Sequence, residues 1–96
     1  MRKISEEAAM AFLNNNPFRR DNTECKNGLM LLHGNTIAMN VEPGKILLKD
    51  AGWQTTTTKE RLNAILDLLG KSRISQKKGV WYIGGKEWKK YEWNVI

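Results

Sequence analysis

Between Thr57 and Gly70 the apolar residues Leu62, Ile65, Leu66 and Leu69 fall at i, i+3, i+4 and i+7, the spacing that lines one side of an α-helix. Lys59, Asn63 and Asp67 lie off that stripe. Thr57 is placed to cap the helix: its hydroxyl can accept from the Glu60 N–H while the Glu60 carboxylate reaches back to the Thr57 N–H. Gly70 can take the left-handed conformation that ends a helix. Burying each aliphatic side chain of the stripe is worth about 1.5–3 kcal/mol, a large share of a small domain's stability. This helix is therefore predicted to be core, with a sheet covering it.

A weaker helical pattern opens the chain. Ala8, Ala9, Phe12 and Leu13 give one modest apolar face, Ser5 is the expected N-cap, and Ile4 with Ala9 forms a hydrophobic staple. Asn14, Asn15, Asn16 and Pro17 stop it. Phe18 is expected to anchor the exit, and Arg19, Arg20 and Asp21 to form a polar connection.

From Thr23 to Asp50 the pattern shifts to short apolar runs divided by turn dipeptides, as in an antiparallel meander. Asn27-Gly28 is predicted to pair Thr23–Lys26 with Leu29–His33 through a type I′ turn. Gly34-Asn35 reads as a second such turn into Thr36–Val41, and Pro43-Gly44 as a type II turn into Lys45–Lys49. Ile37, Met39 and Val41 alternate with Thr36, Ala38 and Asn40, which predicts one buried face. Leu29–Leu32 is apolar on both faces, so that strand is either covered twice or meets a partner. Gly52-Trp53 reads as a bend and an aromatic anchor. Beyond Gly70, Ile74 and Ser75 start a strand, Gln76–Gly79 is a four-residue hairpin loop, Val80–Ile83 is a strand, and Gly84-Gly85 turns the chain into Lys86–Trp88. Trp93, Val95 and Ile96 add a last short strand. The expected fold class is α+β: an antiparallel β-meander of about four strands with an N-terminal helix, a central helix packed on the sheet, and a C-terminal β-hairpin.

Composition changes this picture in two ways. Ninety-six residues are expected to make a single domain, 1–96, and the lone Cys25 with no signal-peptide or membrane-spanning pattern places the chain in a reducing cytoplasm, away from membranes. The formal net charge of +6 is also uneven: residues 1–70 carry nine Lys/Arg against eight Asp/Glu, and residues 71–96 carry seven against two. The basic excess of the C-terminal part suits an acidic partner, either nucleic acid or an acidic protein surface, and equally a solvated lysine face.

Candidate chemistry is sparse. One His and one Cys do not furnish a metal site, and Cys25, His33 and Asp50 match no familiar nucleophile arrangement, so no metal, cofactor or enzymatic activity is expected. Thr55, Lys59 and Arg61 could receive a phosphate where the helix begins. The same threonines could simply cap the helix. Lys77, Lys78, Lys86, Lys89 and Lys90 are interleaved with Trp81, Tyr82, Trp88 and Trp93, the pattern of a single-strand nucleic-acid site with a positive track and stacking rings. In a short chain tryptophans also serve as core. Alternation puts Trp81 and Tyr82 on opposite faces, so at most one of them points inward.

Asn22-Thr23, Leu32 through Ala38, Gly52-Trp53, Thr55, Thr57 through Asn63, Ile74, Gln76 through Gly79, Trp81-Tyr82 and Gly85 through Trp88 together resemble a group of short proteins encoded by tailed bacteriophages and prophages. The T-T-K-E-R-L-N and Q-K-K-G-x-W-Y segments carry most of the likeness. The chain departs from that pattern in a longer helix end, Leu66–Lys71, and in Lys89-Lys90-Tyr91-Glu92. The resemblance implies a phage origin, a host-cytoplasmic setting and action by binding, with no assigned activity. Two expectations follow: a regulatory protein binding nucleic acid through the C-terminal hairpin, or an inhibitor of a host enzyme or anti-phage defence complex that uses exposed apolar strand surface such as Met30 or Trp88. A homodimer through an unpaired edge strand is a further expectation.

Overall fold

Four threonines precede the Leu62 stripe, and each of them has a side chain able to cap the helix. A computed structural model describes residues 3–42 and 45–96. In it the helix, α2, runs Thr56–Leu68, and the cap is Thr55, extended at φ −98° and ψ 164°, whose hydroxyl accepts from the Thr58 N–H at 3.1 Å. The expectation for Thr57 is corrected by two residues. Thr58 and Arg61, four residues before Leu62 and Ile65 respectively, extend the inward stripe, and the Thr58 hydroxyl lies 3.0 Å from that of Thr55. Leu69 is the C-cap, packed against the core, and Gly70 takes the left-handed φ of +69° that the sequence implied.

The first helix, α1, spans Lys3–Leu13 and ends before the asparagine run as expected. Ser5 is no cap: it lies inside the helix, fully buried, and its hydroxyl accepts from Arg61 Nη1 at 2.6 Å. Arg19 and Arg20, expected in a connection, form a strand with Phe18: β1 is Phe18–Arg20, and Asp21-Asn22 turns it into β2, Thr23–Lys26. Arg20 reaches Glu7 of α1 at 2.7 Å, which ties this edge to the helix.

Asn27-Gly28 joins β2 to β3, Leu29–Leu32, with Lys26 opposite Leu29 and both turn residues at positive φ, as predicted. Only glycine suits the second position: its φ is +75°, and an added Cβ would sit 3.3 Å from the Asn40 carbonyl oxygen. The next turn is His33-Gly34, one residue earlier than Gly34-Asn35, because Leu32 pairs with Asn35 at the start of β4, Asn35–Glu42. Two bulges then break the alternation expected in β4. Ile37 is the extra residue opposite Met30/Leu31, so both Ile37 and Ala38 are buried, Met39 turns outward, and Val41 is exposed. The expected Pro43-Gly44 turn lies outside the described residues. β5 is Lys45–Leu48.

After α2, β6 (Ile74–Lys77) and β7 (Val80–Ile83) are joined by the two-residue turn Lys78-Gly79, tighter than the four-residue loop expected, because Lys77 pairs directly with Val80. Gly84-Gly85 leads into β8, Lys86–Glu87, so the C-terminal hairpin is a three-stranded sheet. The last strand, β9 (Asn94–Val95), leaves that sheet and pairs with β5, which makes the meander six-stranded in the order β1-β2-β3-β4-β5-β9.

The fold class is α+β, as the sequence indicates. Cys25, Met30, Leu32, Ala38 and Leu48 on one face of the large sheet form a single core with Phe12 of α1, Leu62 and Ile65 of α2, and Ile74, Trp81 and Trp88 of the C-terminal part. Asn63 fastens the small sheet to α2: its Oδ1 accepts from the Ile74 N–H at 2.6 Å, and its Nδ2 donates to the Ile74 carbonyl at 3.4 Å. Among the described residues no helix is long and apolar enough to cross a membrane.

Candidate binding surfaces

In β7 the alternation separates the two rings as expected: Trp81 turns inward and Tyr82 outward. Trp81 is 1% exposed and Trp88 3%, and the two meet edge to face with ring centres 5.7 Å apart. The Trp88 indole N–H donates to Asp50 Oδ2 at 3.0 Å. Neither ring has a face open to a base, so the stacking role proposed for them from sequence is corrected to a packing role. Met30 is likewise fully buried, and neither Met30 nor Trp88 supplies exposed strand surface.

The lysines do not gather into one track. Lys77 and Lys78 stand at one end of the β6–β7 hairpin and Lys86 beyond its other end, a four-residue strand or roughly 10 Å away. Lys89 and Lys90 lie in the exposed link that follows, with Lys90 Nζ 5.8 Å from the Tyr91 ring centre. On the outer face of the small sheet Glu87 sits directly opposite the half-buried Tyr82, which puts a carboxylate beside the one ring of the β7 strand that points out.

The phosphate set also comes apart. Thr55 is exposed at the start of α2, but Lys59 leans over the small sheet, donating to Gln76 Oε1 at 2.9 Å with its ammonium 5.8 Å from the centre of the Trp81 ring. Arg61 is 2% exposed and points into the protein, where Nε donates to Thr23 Oγ1 at 2.9 Å and Nη2 to Asn22 Oδ1 at 3.4 Å, in addition to the bond with Ser5. It fastens α2 to α1 and β2 and presents nothing to a ligand.

The register of the large sheet assembles a surface that the sequence reading did not name. Lys26 pairs with Leu29, Leu29 with Met39, Met39 with Leu47, and Leu47 with Val95, so these residues form one row across five strands on the face away from both helices. Leu31 lies on the same face, two residues along from Leu29. Leu29, Leu31, Met39 and Leu47 lie outside the core and are half-buried, and Val95 is 70% exposed. An open face of an antiparallel sheet usually carries polar side chains at these positions. Lys26, Lys45 and Lys49 border it, the last with its ammonium 4.5 Å from the centre of the Trp93 ring, and two acids share the border: Glu24, opposite Leu31 and 4.0 Å from the Lys26 ammonium, and Glu42, opposite Lys45. The signal in the sequence was Leu29–Leu32, apolar on both faces; its outward half is this surface.

Burial pushes the thiol of Cys25 up from 9.0 to about 11, with the neighbouring Glu24 charge adding to the effect. Its Sγ donates to the Ala8 carbonyl at 3.4 Å, so Cys25 is a packing residue of β2.

No curated protein and no solved structure matches the chain. A family model described as Kyanoviridae Gp96 protein matches residues 1–95, nearly the whole length. The chain therefore belongs to the Kyanoviridae Gp96 protein family, a family of phage proteins.

Proposed function

We propose that this phage protein acts by binding, and that its partner is a host protein docked on the outward face of the large sheet. The observation that carries the reading is the continuous row Leu29, Met39, Leu47 and Val95, with Leu31 beside it, uncovered by either helix and bordered by Lys26, Lys45 and Lys49. Aliphatic side chains offer little to a stacked base and much to another protein's apolar patch, and a rim of lysines and glutamates favours a partner of complementary mixed charge around that patch. Occupying a host enzyme or an anti-phage defence complex in the cytoplasm is the role such a surface suits best. Edge-to-edge pairing of two copies through the large sheet gains little, because that sheet ends in β1 of three residues and β9 of two; the longer outer strand is β6 of the small sheet, with four.

The test is a pull-down from nuclease-treated host lysate with the native chain and with Leu47→Glu, whose fold is checked by circular dichroism. The expected result is a protein that survives nuclease, is retained by the native chain, is released by moderate salt and is lost with Leu47→Glu. Equal retention by the folded variant overturns the reading. So does loss of all partners on nuclease treatment joined with a salt-sensitive gel shift below about 50 mM salt, which would return the function to nucleic acid and the exposed lysines.

A further inference from the structure

The turn after β5 brings the two exposed aromatic rings of the described residues, Trp53 at 62% and Tyr91 at 67%, onto one patch of surface. Ala51 and Gly52 both take positive φ, and the Trp53 N–H closes the turn on the Asp50 carbonyl at 2.9 Å. The Tyr91 ring lies against Gly52, where an added Cβ would stand 3.4 Å from Cε1. One buried oxygen, Asp50 Oδ1, holds both segments: it accepts from the Gly52 N–H at 2.9 Å and from the Tyr91 N–H at 3.4 Å. Tyr91 is kept at φ +63°, uncommon for a bulky side chain, and its ring is left in solvent. Backbone strain held with so little gained in packing is characteristic of a binding site.

Two adjoining hollows flank the rings and share Asn35 and Ala51. The first, of about 500 Å³, opens beside Trp53, has Leu32 and Ile37 on its wall, and is lined by no lysine or arginine. The second, of about 370 Å³, is lined by Tyr91 and by Lys49, whose ammonium rests on the half-buried Trp93 ring. Charge beside the second hollow is mainly positive. The Lys90 ammonium is 5.8 Å from the centre of the Tyr91 ring, Lys89 precedes it, and Glu92 is the one acid of that link. The Asp50 carboxylate is fully buried, and its oxygens also accept from Gln54 at 3.1 Å and Trp88 at 3.0 Å, so it faces N–H donors within the fold. Open rings beside ammonium groups are the combination by which single strands are held.

We infer that this patch binds a short stretch of single-stranded nucleic acid, with an uncharged base stacked on Trp53 in the first hollow, a neighbouring base on Tyr91, and the linking phosphate met by Lys49 and Lys90. Bases must be unpaired to reach the rings, because a duplex keeps their faces stacked on one another. The patch shares only Lys49 with the border of the outward sheet face and nothing with its apolar row, so the two readings stand or fall independently.

The test is fluorescence anisotropy of labelled single-stranded DNA and RNA of about ten nucleotides, and of the matching duplexes, titrated with the full chain. The expected result is binding of a single strand above its duplex, with an affinity that falls linearly in log salt. Trp53→Ala and Tyr91→Ala, both at exposed positions and checked for fold by circular dichroism, should each weaken binding about tenfold. Tyr91→Phe keeps the ring and should bind as the native chain does. Lys49→Gln joined with Lys90→Gln should flatten the salt dependence. No complex with either single strand at about 50 mM salt overturns the inference. So does equal affinity for the duplex, or binding unchanged in both folded ring variants. A nuclease-resistant host protein that is lost with Trp53→Ala, in a chain that binds neither oligonucleotide, likewise overturns it and gives the patch to a protein partner.

Discussion

Arg61 keeps a charged side chain almost wholly out of solvent, at 2% exposure. On paper it follows a helix start and invites a phosphate; in the fold its guanidinium is enclosed by side-chain oxygens of Ser5, Thr23 and Asn22. Periodicity puts Arg61 on the stripe, four residues before Ile65, but the long side chain of an arginine at the edge of such a stripe ordinarily carries its charge to solvent. The hydroxyls of Ser5 and Thr23, far away in sequence, and the Glu60 carboxylate, 3.9 Å from Nη1, are what make burial tolerable. Arg61→Ala would take from the buried Ser5 hydroxyl its Arg61 donor, at about 1–3 kcal/mol, and remove one bond from Thr23, whose hydroxyl still donates to Asn22 Oδ1 at 2.9 Å, so a loss on the order of 2–3 kcal/mol is expected in urea unfolding. Arg61→Lys keeps the charge but lacks the fork that reaches several acceptors, so it should recover only part of that loss. Cys25 gives a second expectation at this scale. With its thiol at about 11 in the folded chain, it should resist thiol reagents at about pH 8 until urea exposes it. The folded state holds the proton more tightly than the unfolded one does. The stabilisation is therefore complete below 9.0 and is lost as pH rises through about 11, by which point it has fallen on the order of 2 kcal/mol. A pH series of unfolding curves should show this slope in the native chain and not in Cys25→Ala.

Among the elements, those fixed by local chemistry were legible and those fixed by pairing were not. Asn27-Gly28 and Gly84-Gly85 announce their turns because few residues adopt positive φ at two successive positions. His33 and Lys78 adopt it too, yet neither is a residue type that signals it, so those turns were misplaced or drawn too long. The bulge at Ile37, which brings Ala38 inward and turns Met39 out, is set by the neighbouring strand and leaves no mark in the alternation of β4. Four successive threonines made the start of α2 ambiguous, since each side chain can cap, and the choice was made by the burial of Thr58. The two possible caps give opposite mutational expectations. Thr55→Ala should cost about 1 kcal/mol, whereas Thr57→Ala, inside the first turn, should change stability by a few tenths at most. Thermal melts of the two variants decide between them. A larger loss for Thr57→Ala would restore the start read from sequence.

For the whole molecule the question is what makes two sheets one folding unit. The sequence showed their strands but not their connection, which runs through Asp50: a fully buried carboxylate in the loop after β5 that receives the Trp88 indole N–H from the end of the small sheet and the Tyr91 backbone N–H from the link beyond it. Asn94 completes the return, with its Nδ2 donating to the Leu48, Lys89 and Glu92 carbonyls at 3.3, 3.1 and 3.0 Å and its Oδ1 accepting from the Lys89 N–H at 2.9 Å. Trp81 and Trp88 carry the small sheet into the same core as α2. Unfolding followed by tryptophan fluorescence, weighted to Trp81 and Trp88, and by far-ultraviolet circular dichroism should then give one coincident transition. Asp50→Asn keeps the shape but offers one acceptor oxygen and an amide donor to a shell made wholly of donors. With hydrogen bonds to a charged group worth about 1.5–3 kcal/mol each, losing even one or two of the four should cost roughly 2–4 kcal/mol. The fluorescence transition should fall with the dichroism transition if Asp50 joins the sheets into one cooperative unit. If Asp50→Asn lowers only the fluorescence midpoint and leaves the dichroism midpoint in place, the small sheet is a separate unit docked on the rest, and the core described here does not span both.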